Sequence, residues 1–386
     1  MSYWQEALGL PPLINAAGKM TYLGASTLDP SAVAAMGRAA GEYVDMAQLH
    51  RAAGRRVAQW AGAEDAVVTS CAAAGIVTAV AACLTGPDLG RARLLPDTSR
   101  FARRRVVLQK GHAVDFGMEI VQAVRLTGAI PVEVGSVKRC DPSQMAVALE
   151  EPAAAVLYVV SHHAEQDGML SLEQVVEIAS KRGVPVVVDA AAEMDLNRYL
   201  AAGASLVVYS GQKAFGGPTS GVVVGRADLI AACRVQDKGI ARPMKVSKEA
   251  IAGFLRALEQ YAATEPADLT RELEARAAAL ADRLRSALET AGAARYARIS
   301  LQGDATRPIP RVALDLDPAA GALTASQLVA ALEGGSPSIR TRNHQVDSGR
   351  ILFDVRTLRD DQLEVMARRV GECLTSGGIH HDKQSS

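Results

Sequence analysis

Two apolar rhythms alternate along this chain. Short runs rich in Val, at residues 66–69, 105–109, 154–160, 184–188, 206–209 and 222–224, have the length and β-branched composition of strands buried on both faces. Between them lie stretches with apolar residues three and four positions apart, such as 171–183 (SLEQVVEIASKRG), which read as amphipathic helices. Strand and helix signals in strict alternation predict an α/β chain with a mainly parallel sheet covered by helices on both faces. Residues 1–30 are turn-rich. From Ser31 to about Ala61 the spacing is helical, with Ser31 as N-cap after Pro30. A long Ala/Arg/Leu/Glu helix from Glu272 to about Gly292 bridges to a last segment in which strand and helix signals alternate again, the pattern of a small α/β domain. The expected division is an arm and helix at 1–50 that contributes to the small domain or to a subunit interface, a large domain at 51–265, and a small C-terminal domain at 266–386.

The polar residues that interrupt this pattern carry the candidate chemistry. The run 184–188 stops at Asp189, and the run 206–209 delivers Ser210, Gly211, Gln212 and Lys213 into a glycine-rich turn. If both strands share a sheet, a carboxylate and an amine leave the same edge, where open α/β sheets bind ligands. Two readings stand side by side. Buried charges are usually paired, so Asp189 and Lys213 can be an ion pair. Alternatively, they form a pyridoxal phosphate site, with Lys213 bonded to the cofactor aldehyde and Asp189 paired with the pyridine nitrogen. Upstream, a short strand meets a small-residue turn, Ser70 to Ala74, and an apolar helix; free N–H groups at such a helix start, with Ser70, suit a phosphate.

His112 falls just beyond a strand end, where it can lie over a cofactor ring or simply fill the core. Ser161, His162 and His163 close a further strand. Adjacent histidines on an extended chain point in different directions, so at most one of them faces a small ligand, and a metal pair is not expected. In the irregular stretch INAAGKMTYLG, Lys19 and Tyr22 are candidates for substrate contact, against the alternative of an arm packed on a partner subunit. Arg340, Arg342 and Arg356 surround a hairpin-like unit near the C-terminus, and an arginine fork suits a substrate carboxylate.

Composition narrows the partners. The chain has 386 residues, 49% of them hydrophobic and only 4% aromatic, with 42 basic and 42 acidic side chains. Zero net charge leaves no electrostatic footprint for nucleic acid or an anionic membrane. The five cysteines lack a C-x-x-C pair and read as reduced thiols rather than a disulfide frame or zinc site. No signal peptide and no run of roughly 20 apolar residues is seen, so a cytoplasmic protein is expected.

Taken together, PPLINAAGKMTYLG, YVDM, VTSCAAAGI, GHAVDFG, VVSHHAEQDGMLSL, VPVVVDAAAEMDL, YSGQKAFGGPTSG, GIARPMKVSKE and ILFDVRTL resemble the fold type I pyridoxal phosphate enzymes. Within them the chain is similar to the selenocysteine-synthase-related family that includes D-glucosaminate-6-phosphate ammonia-lyases. The resemblance implies a large domain with a seven-stranded sheet, a small domain built from both chain ends, and a site completed in a homodimer or higher homo-oligomer. It implies Lys213 as Schiff-base lysine and Asp189 as pyridinium partner. Ser70, Cys71, Ala72 and Ser210 match its phosphate-binding positions, His112 the residue over the ring, and Arg342 the arginine that meets a substrate carboxylate. Selenocysteine synthase itself looks longer at its N-terminus; with the zero net charge, this favours a small amino acid or amino sugar acid over a tRNA substrate.

The reaction then expected is proton abstraction from Cα by Lys213, followed by loss of a β-hydroxyl to give a 2-keto acid and ammonia. An amino acid racemase or epimerase using the same residues is the alternative, and a non-catalytic ligand-binding relative is another. His112 or His163 would supply the second acid. Lys19, Lys245 and Lys248 are candidates for a second anion site if the substrate is phosphorylated.

Overall fold

The structure is a computed structural model that describes residues 3–161, 164–213, 215–303, 309–317 and 323–379. In chain order its strands are β1 (Leu13–Ala16), β2 (Asp65–Thr69), β3 (Arg105–Gln109), β4 (Ile130–Val134), β5 (Ala153–Val159) and β6 (Val186–Asp189). They continue with β7 (Leu206–Ser210), β8 (Gly221–Gly225), β9 (Ala297–Gln302), β10 (Arg311–Leu316), β11 (Ser338–Thr341) and β12 (Arg350–Asp354). The chain divides into two compact units: a larger one, Leu28–Ala263, and a smaller one formed by Met1–Thr27 with Thr264–Ser386.

The larger unit is built on a seven-stranded sheet of order β2-β8-β7-β6-β5-β3-β4. Only β8 runs against its neighbours; β2 pairs antiparallel with β8 and so points the same way as β7. Successive side chains enter opposite cores. Val186, Val188, Val207 and Tyr209 join one apolar cluster, and Val187, Leu206 and Val208 join the other. Burial on both faces is why these strands appear in sequence as unbroken apolar runs, each fully buried Val or Leu contributing about 1.5–3 kcal/mol. At the end of β3, the buried Gln109 side chain pairs with the backbone of Leu170, donating at 3.1 Å and accepting at 2.7 Å, so the turn after β5 is tied to the sheet.

Where one helical stretch was expected over 31–61, the structure has two, Pro30–Ala40 and Met46–Ala61. Gly41 ends the first, and Asp45 starts the second by accepting from the Gln48 N–H at 2.9 Å; an N-cap of this type resets the chain direction. The first helix belongs to the larger unit with residues 28–50, and Lys248, at the start of the helix Lys248–Ala262, donates to the carbonyls of Ala39 and Ala40 at its C-terminal end. The bridging helix starts earlier than its apolar spacing suggests, at Pro266, a residue favoured in a first helical turn, and runs to Thr290.

The smaller unit has its own core. β9, β10 and β12 form an antiparallel sheet of order β12-β10-β9, whose Val312, Leu314, Ile351 and Phe353 pack with Leu280 and Leu284 of the long helix and Met366 and Val370 of the helix Asp360–Ile379. β11 does not hairpin with β12 along its length; it pairs in parallel with β1, Leu13 opposite Ser338 through Ala16 opposite Thr341. A single antiparallel bridge, Arg342 with Leu352, keeps the hairpin-like contact expected from the sequence. All five cysteines are free, and no helix among the described residues is long and apolar enough to cross a membrane.

Candidate active site

Strand register decides which side chains meet in the larger unit. Thr69 and Ser210 both pair with Gly221, so the turn after β2 and the turn after β7 leave the sheet level with each other. Asp189 pairs with Val208 on one side and Val159 on the other, which puts it on the same edge. The larger-unit residues singled out from sequence (Ser70, Cys71, Ala72, His112, Asp189, Ser210 and Lys213) therefore gather at the ends of β2, β3, β6 and β7. Lys19, Tyr22 and Arg342 belong to the smaller unit. His163 lies outside the described residues.

The turn after β2 is shaped for an anion. Cys71 is the N-cap of the helix Ala72–Thr85, its Sγ accepting from the Ala74 N–H at 3.3 Å, and the Thr69 hydroxyl donates to the Cys71 carbonyl at 2.9 Å. The turn presses so closely on β8 that a Cβ at Gly221 would stand 2.4 Å from the Cys71 carbonyl carbon and 2.6 Å from the Ala72 nitrogen. Only glycine lets the backbone approach this far. The first N–H groups of a fourteen-residue helix, with the positive end of its dipole, thereby face the sheet edge beside Ser70. The Ser210 hydroxyl accepts from the Lys213 N–H at 3.3 Å, so it orders the lysine's turn.

Asp189 is 6% exposed and accepts from the Ala191 N–H at 3.0 Å. Burial pushes its carboxyl up to about 6, against the opposing pull of that N–H and of the Lys213 charge. The lysine is thus near enough to act on the aspartate, yet among the described residues no ion pair within 4.0 Å joins the two. A closed pair is not what the edge contains. What it contains is a buried carboxylate and a half-buried amine set apart, beside a helix start and a glycine-lined turn. That donor set matches pyridoxal phosphate: an aldehyde for the amine, a ring nitrogen for the carboxylate and a phosphate for the helix start.

His112 has no exposed surface. Its Nδ1 accepts from the Val159 N–H at 3.2 Å, which leaves the hydrogen of the neutral ring on Nε2, and its ring meets Tyr158 edge-on at 4.6 Å. Burial pushes its imidazole down to about 4. Three tyrosines, which periodicity gave no reason to single out, pin the loop after Asp189. Tyr199 donates to Glu193 Oε2 at 3.1 Å, Tyr209 to the Asp195 carbonyl at 2.8 Å and Tyr261 to the Met194 carbonyl at 2.7 Å. The one signal available in sequence was Tyr209 itself, a hydroxyl closing an apolar strand, since a buried phenol needs an acceptor.

In the smaller unit, Tyr22 is 72% exposed. Arg342 exchanges backbone hydrogen bonds with Leu352, and its charge, with that of Arg311, helps hold His344 below the usual histidine range after burial has begun the shift.

Comparison with known proteins adds the following. A family model described as L-seryl-tRNA selenium transferase matches residues 13–359. A protein of Salmonella typhimurium named D-glucosaminate-6-phosphate ammonia lyase is 41% identical over 95% of this chain and 96% of its own length. A protein of a Streptomyces species named 5'-C-glycyluridine monooxygenase-decarboxylase is 42% identical over 97% of this chain and 92% of its own. A solved structure of D-glucosaminate-6-phosphate ammonia-lyase superposes with a TM-score of 0.89 at 38% identity, over 98% of this chain and all of that one. The fold type I architecture expected from the sequence is the one found.

Proposed function

We propose, from the premise that this chain belongs to the L-seryl-tRNA selenium transferase family, that it is a pyridoxal-phosphate-dependent ammonia-lyase acting on a small hydroxylated amino acid or amino sugar acid. The observation that carries the reading is the separated Asp189–Lys213 pair on one sheet edge, in a chain 41% identical along nearly its whole length to an ammonia lyase of that substrate class.

Lys213 would hold the cofactor aldehyde, Asp189 the ring nitrogen, and the helix start at Cys71–Ala72 with Ser70 and Ser210 the phosphate. Bound there, pyridoxal phosphate withdraws electrons from the substrate Cα. Lys213 Nζ would be the base that removes the Cα proton. The β-hydroxyl departs as water once it is protonated, and the enamine so produced hydrolyses to a 2-keto acid and ammonia. His112, anchored by the Val159 N–H, is assigned to the place over the ring, and His112 or His163 to the second acid. By the resemblance, Arg342 and Tyr22 are the candidates for the substrate's carboxylate and hydroxyl groups. Zero net charge supports a small molecule over a tRNA as substrate, and the fold supports a homodimer or larger assembly.

The test is incubation of the loaded protein with amino acids and amino sugar acids in heavy water, assaying keto acid, ammonia, deuterium and chirality. Keto acid and ammonia in equal amounts are expected. Deuterium at Cα with scrambled chirality and no ammonia would make it a racemase instead. The Streptomyces relative gives weight to one further reading, because its 42% identity accompanies a monooxygenase-decarboxylase name; oxygen uptake with carbon dioxide release would establish that chemistry. Lys213→Ala should lose the borohydride-reducible attachment of cofactor, and a reducible attachment at another lysine would refute the assignment.

A further inference from the structure

A second concentration of charge, which the chemistry at Lys213 does not use, gathers where the segment Asn15–Lys19 meets Asp354 and Arg356. Asn15 folds it, donating from Nδ2 to the Gly18 carbonyl at 2.9 Å and accepting at Oδ1 from the Ala17 N–H at 3.0 Å. Gly18, at φ 93°, then lies so near Asp354 that a Cβ would meet its Oδ2 at 2.6 Å. Asp354 is fully buried and takes Arg356 side-on, Nε at 2.9 Å and Nη2 at 2.7 Å, while Arg311 Nε stands 3.7 Å from the same carboxylate. One carboxylate thus serves two guanidinium groups.

Lys19 follows directly, half-buried, and no hydrogen bond or ion pair to its Nζ is found among the described residues. Burial first, and then the Arg356 charge, push its ammonium down to about 8; Asp354 opposes with the smaller effect. Lys19 thus carries its charge close to both Arg356 and Asp354, directly after the glycine that packs against that pair. The side-on pairing uses Arg356 Nε–H and one hydrogen of Nη2, so Nη1 and the other Nη2 hydrogen face away from Asp354 in a fixed plane. Lys248, the comparable candidate in the larger unit, is already committed to the carbonyls of Ala39 and Ala40.

We propose that Lys19 and the outer edge of Arg356 form a binding site on the smaller unit for an oxyanion of the phosphate class. An ammonium and a pre-oriented guanidinium edge offer the charge-assisted donors that phosphate oxygens accept. Asp354 is the positioning residue, holding the guanidinium flat. The occupant is the phosphate of an acidic sugar substrate or free inorganic phosphate, which share this chemistry. The inference stands on the smaller unit alone and does not depend on the reaction assigned to Lys213.

Trace acetylation of the cofactor-loaded protein, read at each lysine by mass spectrometry across pH, tests it. Lys19 should react with an apparent pKa near 8; inorganic phosphate should slow that reaction and raise the pKa, while Lys181 is unaffected. By calorimetry, Lys19→Met should weaken phosphate binding about tenfold or more, and Lys19→Arg should restore most of it. Stronger protection by a phosphorylated amino sugar acid than by inorganic phosphate assigns the site to substrate; the reverse order assigns it to free phosphate. Unchanged Lys19 labelling with every oxyanion, or full phosphate affinity in Lys19→Met, overturns the proposal. A protein that shows the protection but turns over no substrate would refute only the lyase reading.

Discussion

Asp189 is costly while its site is empty of a cation and useful once one is bound. Its carboxyl is pushed up to about 6 by burial, so the folded chain holds that proton more tightly than the unfolded chain does. The sign of the pH effect follows. Well below pH 4 the residue carries no penalty, and above pH 6 it carries the whole of it, so the cofactor-free protein loses stability from this position as pH rises between them. Asp189→Asn removes the charge and keeps the shape. Without cofactor it should be more stable than the parent at pH 8, by on the order of 2–3 kcal/mol, with a smaller gap at pH 5, while holding pyridoxal phosphate less tightly. Thermal unfolding at the two pH values checks this; a gap that does not widen with pH contradicts the desolvation argument. Asp189 and Lys213 were legible in the sequence because a charge that ends a β-branched run must be met by a partner or a ligand. Both readings of His112, over a ring or in the core, were legible in the sequence, but its tautomer was not, since the N–H that fixes it comes from Val159, 47 positions away.

The elements that make the edge differ in how openly the sequence states them. β6 and β7 are plain because two-sided burial erases the alternation that a half-exposed strand would show. The helix Ala72–Thr85 is equally plain from its small-residue turn. What no local pattern discloses is that β8 must begin with glycine, because the obstructing atoms belong to Cys71 and Ala72. Gly221→Ala should therefore push the turn after β2 away from the sheet. We expect a loss of about 1–3 kcal/mol in denaturant unfolding, and a weaker cofactor constant than unfolding alone explains. A stable variant with unaltered cofactor affinity would show that the turn has room to yield. The three tyrosine hydroxyls on the loop 193–195 were hidden for the same reason: each acceptor is fixed by tertiary placement.

At the scale of the whole molecule, the sequence signals the larger unit well and the smaller one poorly. β3 to β7 follow one another at short range, so their alternation with helices is readable, although the sheet places β3 between β5 and β4. The smaller unit is discontinuous, and β1 finds its partner more than three hundred residues later, a pairing that periodicity cannot express. Periodicity accordingly suggests a limit at residue 50, whereas the division falls after Thr27. The two units have separate cores and should report separately. Hydrogen exchange is expected to be slowest in β5, β6 and β7, interior strands flanked on both sides, and faster in β4, which closes one edge with two of its five residues exposed. Equal protection across the sheet would contradict this ranking.

The pairing of β1 with β11 also sets a timetable for synthesis. At roughly 5–20 residues per second, β1 leaves the ribosome about 15 to 60 s before Ser338 to Thr341 exist to receive it. Throughout that interval every residue of the larger unit is made and free to fold, while the first strand waits with its edge unpaired. An exposed edge is a template for other chains. The Pro11-Pro12 pair immediately ahead of Leu13, lacking N–H donors, makes that waiting strand a poor one to copy.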